Sequence, residues 1–405
     1  MNLRTIKHII YTVLGLAAVA GLGFLAYVLL FPPTTQDTTQ TGRNRIIGRI
    51  LDLVIRDNGT PGTGTSTDNT ATTTLPNGIQ PQGNTPAPRL VQLTDFAVVG
   101  ASIGTFGDTA LFYKKDGGDL FEVDLDGKNL VQISNRTILG AFQVVWNPTK
   151  DAAALFYLDG DTKQGVILSG TSTATVLPPE VNDFSWSPDG KTLAYLVPNE
   201  NGSNLVIANA DVSRASTVFT TPLVDTTILW VSDNVIAFHT AASRHADGAI
   251  FTYNRRTGAF KRIVGPFQGL MGAWSQDGTR LIETHRARGT ETKEISLRSA
   301  SGEILSAFPV LTTPQKCAWI AVEELYCAVP RAPIPAEWPD TYIRGEYHTS
   351  DLIALIDLDR KELFEIWNDP NRDFDVTNLL VTPNKDYLMF IDRNNGTLWS
   401  WRLNE

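Results

Sequence analysis

Gly100-Ala101-Ser102-Ile103-Gly104 spells the elbow that presents a nucleophilic serine above a parallel sheet. That chemistry needs a strand, a strained turn and a helix, with an acid and a histidine placed by the same fold. Here Thr109 to Tyr113 follows and reads as another strand, so the small residues suit an inner strand near a crowded axis instead. The five histidines are His8, His239, His245, His285 and His348. Zinc would want three or four converging ligands. Nothing in their spacing demands that, and they read as surface or loop residues. No P-loop, EF-hand loop or His-Glu-x-x-His helix is present. The sequence therefore points to no catalytic residue, no metal site and no cofactor.

What the chain does carry is a recurring phrase: an apolar run ending in Trp, a tight turn, and a second apolar run. It reads Phe184-Ser185-Trp186-Ser187-Pro188-Asp189-Gly190 before Leu193 to Leu196. It returns at Val145-Trp146-Asn147-Pro148 and at Ala273-Trp274-Ser275-Gln276-Asp277-Gly278, with weaker copies at Trp230, Trp319 and Val381. The markers Trp146, Trp186, Trp230, Trp274, Trp319 and Val381 stand 40, 44, 44, 45 and 62 residues apart. A period of about 40–45 residues is one four-stranded blade of a β-propeller. In the Pro-Asp-Gly turn, Pro presets φ, Asp suits the next position, and Gly accepts the positive φ that returns the strand.

Upstream, Ala110 to Tyr113, Leu120 to Val123 and Leu130 to Ile133 supply a further blade without its Trp. The last blade runs through Leu379 to Val381, Tyr387 to Ile391 and Leu398 to Trp401, one strand short. Leu90-Val91-Gln92-Leu93 echoes Leu130-Val131-Gln132-Ile133 and is available to complete it, so strands from both ends of the domain close the ring and leave no open edge. The expectation is an all-β, seven-bladed propeller of four-stranded blades over residues 89–405. Through the Trp186 and Trp274 phrases the repeats resemble the WD40-like repeats of the TolB-type propeller family. The resemblance covers residues 90 to 403 and implies the fold; such repeats also occur in peptidase propellers and sensor ectodomains.

Aligning Trp319 on Trp186 places Cys317 and Cys327 opposite each other across a hairpin, within about one residue of register. They read either as a disulfide or as two small buried hydrophobes. Pro330 to Ser350 lengthens the last step and holds Trp338, Tyr342, Arg344, Tyr347 and His348. Trp, Tyr and Arg are the side chains that concentrate binding energy, and long loops on a rigid scaffold carry function. Neighbouring loops add Arg286, Arg288, Arg372 and Phe374 as candidate binding residues. The alternative is that the insertion only caps its own blade.

Residues 1–8 with Arg4 and Lys7 precede an uncharged run, Ile9 to Phe31, of 23 residues. That is enough to cross a hydrocarbon layer about 30 Å thick. The charge bias expects the N-terminus in the cytoplasm and everything after Phe31 outside, in the periplasm or at the cell surface. Within 32–58, residues 43–56 alternate Ile, Leu and Val with Arg at helical spacing, either as an amphipathic helix on the membrane or as an extension of the stalk. Residues 59–88 are rich in Thr, Pro and Gly and read as a disordered linker. All nine Trp lie after position 140, and the net charge of −9 argues against a nucleic-acid partner. The expected function is a membrane-anchored, extracytoplasmic scaffold that binds a protein or glycan. The alternative is an enzyme with its active site in the central funnel.

Overall fold

A computed structural model describes residues 89–404 except 171–172, 287–293 and 311. The expected span 9–31, the segment 32–58, the linker 59–88 and Arg288 lie outside the described residues. Among the described residues no helix is long and apolar enough to cross a membrane.

The chain folds as a succession of antiparallel four-stranded meanders, the architecture of a β-propeller. β2 (Val98–Ile103) to β5 (Val131–Ser134) form one sheet, β6 (Ala141–Trp146) to β9 (Thr173–Val176) the next, and β10 (Asp183–Trp186) to β13 (Ser216–Thr221) a third. β14 (Thr226–Ser232) to β20 (Ile304–Phe308) form a single seven-stranded sheet. β21 (Cys317–Trp319) to β24 (Glu362–Trp367) form a sheet of four. The last sheet has the order β1-β27-β26-β25, where β1 is Leu90–Gln92, β25 is Val376–Val381, β26 is Tyr387–Asp392 and β27 is Leu398–Arg402.

The seven-stranded sheet differs from the expected pair of separate blades. Phe260–Ile263 and the run to Trp274 are one strand, β17 (Phe260–Trp274), which closes one meander and opens the next. Register shifts at Ile250 and between Gln268 and Met271 let it bend from one partner to the other.

Ring closure is as the sequence implied. Leu90 pairs with Trp401, Val91 with Ser400 and Gln92 with Trp399. The Ser400 hydroxyl donates to the Leu125 carbonyl at 2.6 Å, tying this sheet to β4 (Leu120–Asp124) and the turn after it. Asn378 on β25 donates to Ala101 on β2 at 2.9 Å.

The repeated turns share one geometry. In Ser187–Gly190 the Ser187 hydroxyl meets Asp189 at 2.6 Å, and in Ser275–Gly278 the Ser275 hydroxyl meets Asp277 at 2.6 Å. The fourth position has φ +69° in both. Gly278 is doubly constrained, since a Cβ there would lie 2.4 Å from the Val231 carbonyl of the neighbouring meander.

Apolar side chains lie between successive sheets. Phe156, Phe184, Trp186 and Tyr195 form one such cluster; Phe374, Leu388, Phe390 and Trp367 form another. Inner strands also lock together by polar contacts. The Trp186 indole N–H donates to the Val145 carbonyl at 3.0 Å. Ser185 accepts from the Trp230 amide at 2.9 Å, and Asp183 accepts from the Ile228 amide at 2.5 Å. Ser102, the serine of the elbow-like phrase, is a buried residue of β2, with β3 (Thr109–Lys114) rather than a helix after it.

A chain beginning at residue 84 is expected to be soluble and monomeric, whereas one beginning at residue 96 lacks β1, bares the edge of β27 and aggregates. Equal thermal stability of the two would refute this closure. Burial pushes the Asp183 carboxyl from 3.8 up to about 6. Its contribution to stability is therefore complete below the unfolded value and is lost as pH rises through about 6. Asp183→Asn should match the parent near pH 4 and exceed it at pH 8 by about 1–3 kcal/mol in urea titrations. A loss at pH 8 would show that the charged form is needed.

Candidate functional site

The segment Arg331–Ser350 between β22 (Glu324–Pro330) and β23 (Asp351–Asp357) is the place where most of the predicted binding residues meet. It folds around a single helical turn, α1 (Asp340–Ile343). Three sets of contacts fasten it down.

At one end it reaches the connection between β15 (Val235–Thr240) and β16 (Asp247–Asn254). Asp340 accepts from the Ser243 hydroxyl at 2.9 Å and from the Arg244 amide at 2.7 Å. The Arg244 guanidinium pairs with Glu337 at 2.7 Å and donates to the Ala336 carbonyl, while His245 Nε2 stands 3.3 Å from the other Glu337 oxygen. Arg286, at the end of β18 (Arg280–Arg286), also reaches Ala336 O, at 3.4 Å. The insertion thus extends past its own sheet, beyond a simple cap.

At the other end lies a buried ionic cluster. Lys316 ends the 3₁₀ turn Pro314–Lys316 just before β21 and is 1% exposed. Its ammonium donates to Thr349 at 2.5 Å, Asp351 at 2.5 Å and Asp375 at 2.7 Å, which uses all three protons. Burial opposes its charge, but the Asp351 and Asp375 carboxylates overcome this and hold its pKa above the ordinary lysine value. Asp375 is likewise held below the usual carboxylate range, with Lys316 winning over burial. Asp351 also receives the Val376 amide at 2.8 Å, and Asp375 receives the Tyr342 hydroxyl at 3.2 Å. The Arg393 guanidinium stacks 4.1 Å from the Tyr342 ring and donates to the Tyr342 carbonyl at 2.5 Å. His348 Nδ1 lies 3.1 Å from Asp375 on the solvent side.

The base of the segment is held by Arg331, which donates to Asn368, Ser350 and the carbonyls of Asp369 and Arg372.

The predicted residues divide in two. Trp338, Tyr342 and Phe374 are buried, their rings covered by packing. Trp338 packs against Tyr342 at 4.5 Å, and Phe374 sits among Trp367, Phe390 and Trp399. Arg344, His348 and Arg372 are exposed, Tyr347 and Arg286 partly so, and Ile343 and Glu346 join them at the surface. Arg344 forms a paired contact with Glu346 at 2.7 Å. The cluster residues Lys316, Asp351, Asp375 and Arg393 escaped sequence reasoning. The available signal was a charge placed directly before an apolar strand, as in Lys316-Cys317-Ala318-Trp319 and Asp351-Leu352-Ile353.

Two histidines sit in strands rather than loops, correcting the surface reading. His239, on β15, accepts the Trp274 indole N–H at 3.0 Å, and burial lowers its pKa to about 4. His285, on β18, stacks on Phe267 at 3.9 Å, with Nδ1 2.8 Å from the buried Glu283. Glu283 is also held by Arg298 at 2.8 Å. Beside His285 is a cavity of about 20 Å³, lined by Thr284, Arg286, Thr312 and Trp338, enough for a single water. Among the described residues no three His, Cys, Asp or Glu side chains are grouped to hold a metal ion. Cys317 and Cys327 are directly opposed in register and joined by a disulfide.

No family model and no curated protein matches this sequence. Solved structures match in fold. Oligogalacturonate lyase from Vibrio parahaemolyticus aligns with TM-score 0.56 at 11% identity, over 78% of this chain and 94% of that one. A chain of the mitotic checkpoint complex aligns with TM-score 0.53 at 12% identity, over 85% and 100%. TolB from Acinetobacter baumannii aligns with TM-score 0.45 at 14% identity, over 64% of this chain and 63% of that one. At the level of the repeat the chain is similar to TolB and other propeller proteins.

Lys316→Met should be severely destabilising, by about 3–5 kcal/mol, because it strands Asp351 in the interior without its cation and leaves Asp375 only the more distant Arg393, at 3.7 Å. Thermal and urea unfolding of the variant would measure this; a loss under 1 kcal/mol, on the order of an exposed pair, would show that the cluster is not a structural support.

Proposed function

We propose that this chain is a seven-bladed propeller, anchored through Ile9 to Phe31, that binds an envelope partner outside the cytoplasm. Counting β17 once in each of its two meanders gives seven sets of four strands, which supports the blade number. The Cys317–Cys327 disulfide supports an oxidising, extracytoplasmic setting. The observation that carries the binding reading is the fastening of Arg331–Ser350 across the connections of neighbouring sheets. Ordering a long segment costs conformational entropy, and here the cost is met by buried ions and rings. What results is a fixed outer surface of Ile343, Arg344, Glu346, Tyr347 and His348. An apolar side chain set among both signs of charge favours a protein over a glycan as the partner.

The test is capture from solubilised membranes with residues 84–405 immobilised. Ile343→Asp with Arg344→Glu should abolish the captured species while leaving the thermal midpoint within about 2 °C, since both side chains are exposed and surface changes cost little. Retention of the same species by this variant, with its loss on altering the Ser187–Gly190 turn, would place recognition on the opposite face.

The second reading, a propeller enzyme, draws on the His285 geometry. A buried carboxylate at Nδ1 fixes the ring and leaves Nε2 as an acceptor, the arrangement that prepares a histidine for general base chemistry. The fold of the oligogalacturonate lyases is compatible with it, and the fold of a checkpoint assembly is equally compatible with binding. Any turnover found should vanish in His285→Gln; turnover that survives assigns the chemistry elsewhere.

A further inference from the structure

We infer that the end of the propeller opposite the Arg331–Ser350 surface docks on anionic lipid headgroups, through a basic turn, Arg255–Arg262, and an exposed aromatic, Phe106. This deepens the binding reading and rests on its proposed anchor. It also sets the direction in which the binding surface points, away from the bilayer.

The charge comes first. Between Asp247 and Asp277 the chain has no acidic residue, and its cations there are Arg255, Arg256, Lys261 and Arg262. In a chain of net charge −9 this departs from the usual mixture of both signs on a soluble surface. All four side chains are exposed, and among the described residues none forms an ion pair with a carboxylate. The turn that carries them is firmly built. Asn254 accepts the Arg256 and Thr257 amides at 3.1 and 3.0 Å, and the Arg255 amide donates to the Asn234 carbonyl at 2.8 Å. The Arg255 guanidinium stacks 4.7 Å from the Trp230 ring. Arg255 and Arg256 border a cleft shared with Val218 of β13, while Lys261 borders another shared with Gly278 after β17. The positive charge is thus offered on both sides of this sheet.

The second element is position. Successive turns of an antiparallel meander fall at alternate ends. The β15–β16 connection, which Arg331–Ser350 grips, is the second of its meander, and the β16–β17 turn is the third, at the opposite end. Phe106, 93% exposed, tips the β2–β3 turn, a first turn and so at the end of the third. Beside it, a Cβ at Gly107 would lie 3.1 Å from Pro383 of the β25–β26 turn. The Asp386 carbonyl of that turn accepts the Leu403 amide at 2.7 Å, and the Leu403 carbonyl accepts Arg89 Nη2 at 2.7 Å. Arg89, from which the sequence continues to the linker and the proposed anchor, therefore stands at the Phe106 end. Two whole sheets, β6–β9 and β10–β13, separate Phe106 from the basic turn, so contact at both would lay the ring flat.

Acids at this end are engaged locally: Asp126 with Lys128, Asp357 with Arg360, and Asp189 and Asp277 with the serines of their own turns. An acidic protein would account for the four cations alone. An anionic bilayer accounts for the cations, for a bare aromatic ring at the same end, and for the tether leaving there. Its field attracts the basic turn and repels the negative remainder of the molecule, which orients the ring.

The experiment uses the full chain in phosphatidylcholine vesicles made with or without phosphatidylglycerol. Energy transfer to a headgroup acceptor is read from a fluorophore attached after Thr257→Cys or, at the binding surface, after Glu346→Cys; Cys317 and Cys327 are bonded to each other and take no label. Transfer from position 257 should exceed that from 346 in the anionic vesicles, and the excess should be lost in the neutral ones. It should also be lost when ionic strength rises from about 0.1 M to about 1 M, where the screening length falls from about 10 Å to about 3 Å. Arg256→Gln with Lys261→Gln should lower the ratio of docked to undocked molecules about ten- to thirtyfold, and Phe106→Ser about three- to tenfold. Melting temperatures should stay close to the parent's, since all three side chains are exposed. Equal transfer from the two positions overturns the inference, as does docking that survives the double variant. Loss of the captured membrane species on the double variant would assign the turn to a protein partner and also overturns it. The 84–405 protein should float with the anionic vesicles and not with the neutral ones, and its failure to do so overturns the inference too. That arm needs neither anchor nor partner, so it separates failure of this inference from failure of the anchored binding reading.

Discussion

A four-stranded meander of this composition has two apolar faces, and it cannot cover either by itself. Every sheet therefore depends on a neighbour at each side, and that requirement governs the rest of the structure. Phe184 and Trp186 are buried only because Phe156 and Ala154 come from the sheet before them. Phe374 and Phe390 are buried only because Trp367 and Ala328 come from theirs. A linear stack would leave its first and last faces bare, whereas a ring leaves none. The small residues of β2 and the bonds from Trp186 to Val145 and from Asn378 to Ala101 are local answers to the crowding that a ring imposes at its axis.

Upon this frame the Arg331–Ser350 segment adds an element of a different kind. The frame is held mainly by apolar area, but the segment is held mainly by ions. Burying Lys316 beside two carboxylates gains little over an apolar cluster of the same size, since desolvation offsets the attraction. What it supplies is direction. The three protons of the ammonium fix Thr349, Asp351 and Asp375 in one arrangement, and thereby fix where Tyr342 and Trp338 pack. Apolar rings alone would accept several packings. A surface meant to be recognised benefits from having one.

The architecture was legible because its signals are local and repeated. Trp186, its turn and Leu193 lie within a few residues of one another, and each copy of the phrase reinforces the others. The closing strand was legible because Leu90–Leu93 echoes another strand of the same chain. That Cys317 and Cys327 face each other was legible from hairpin register, while the bond between them was one of two readings left open. The ionic cluster was not legible, because Lys316, Asp351, Asp375 and Arg393 are brought together from four separate elements and no spacing announces them. The burial of Trp338, Tyr342 and Phe374 was undecided for a related reason: residue type marked them as candidates, but type does not say whether a ring faces solvent or a neighbour. His239 and His285 were missed as strand residues because apolar runs with one histidine near the end look the same whether or not the strand includes it. The continuity of β17 was not legible, because Gly265, Pro266 and Gly269 interrupt its apolar pattern, while the strand passes through them by shifting register.

The pairing of β1 with β27 has a consequence in time. Arg89 and Arg402, whose backbones bond across this pair, are 313 residues apart. At about 5–20 residues per second, synthesis of the intervening chain takes on the order of tens of seconds. Throughout that interval Leu90–Gln92 has no partner, although every sheet from β2 onward can form in order as it emerges. The final stitch belongs to the first strand among the described residues. A nascent chain of this kind reaches its native state by a late docking event between β1 and β27, and whatever shields Leu90, Val91 and Gln92 during the wait is as much a determinant of successful assembly as the core that forms in the meantime.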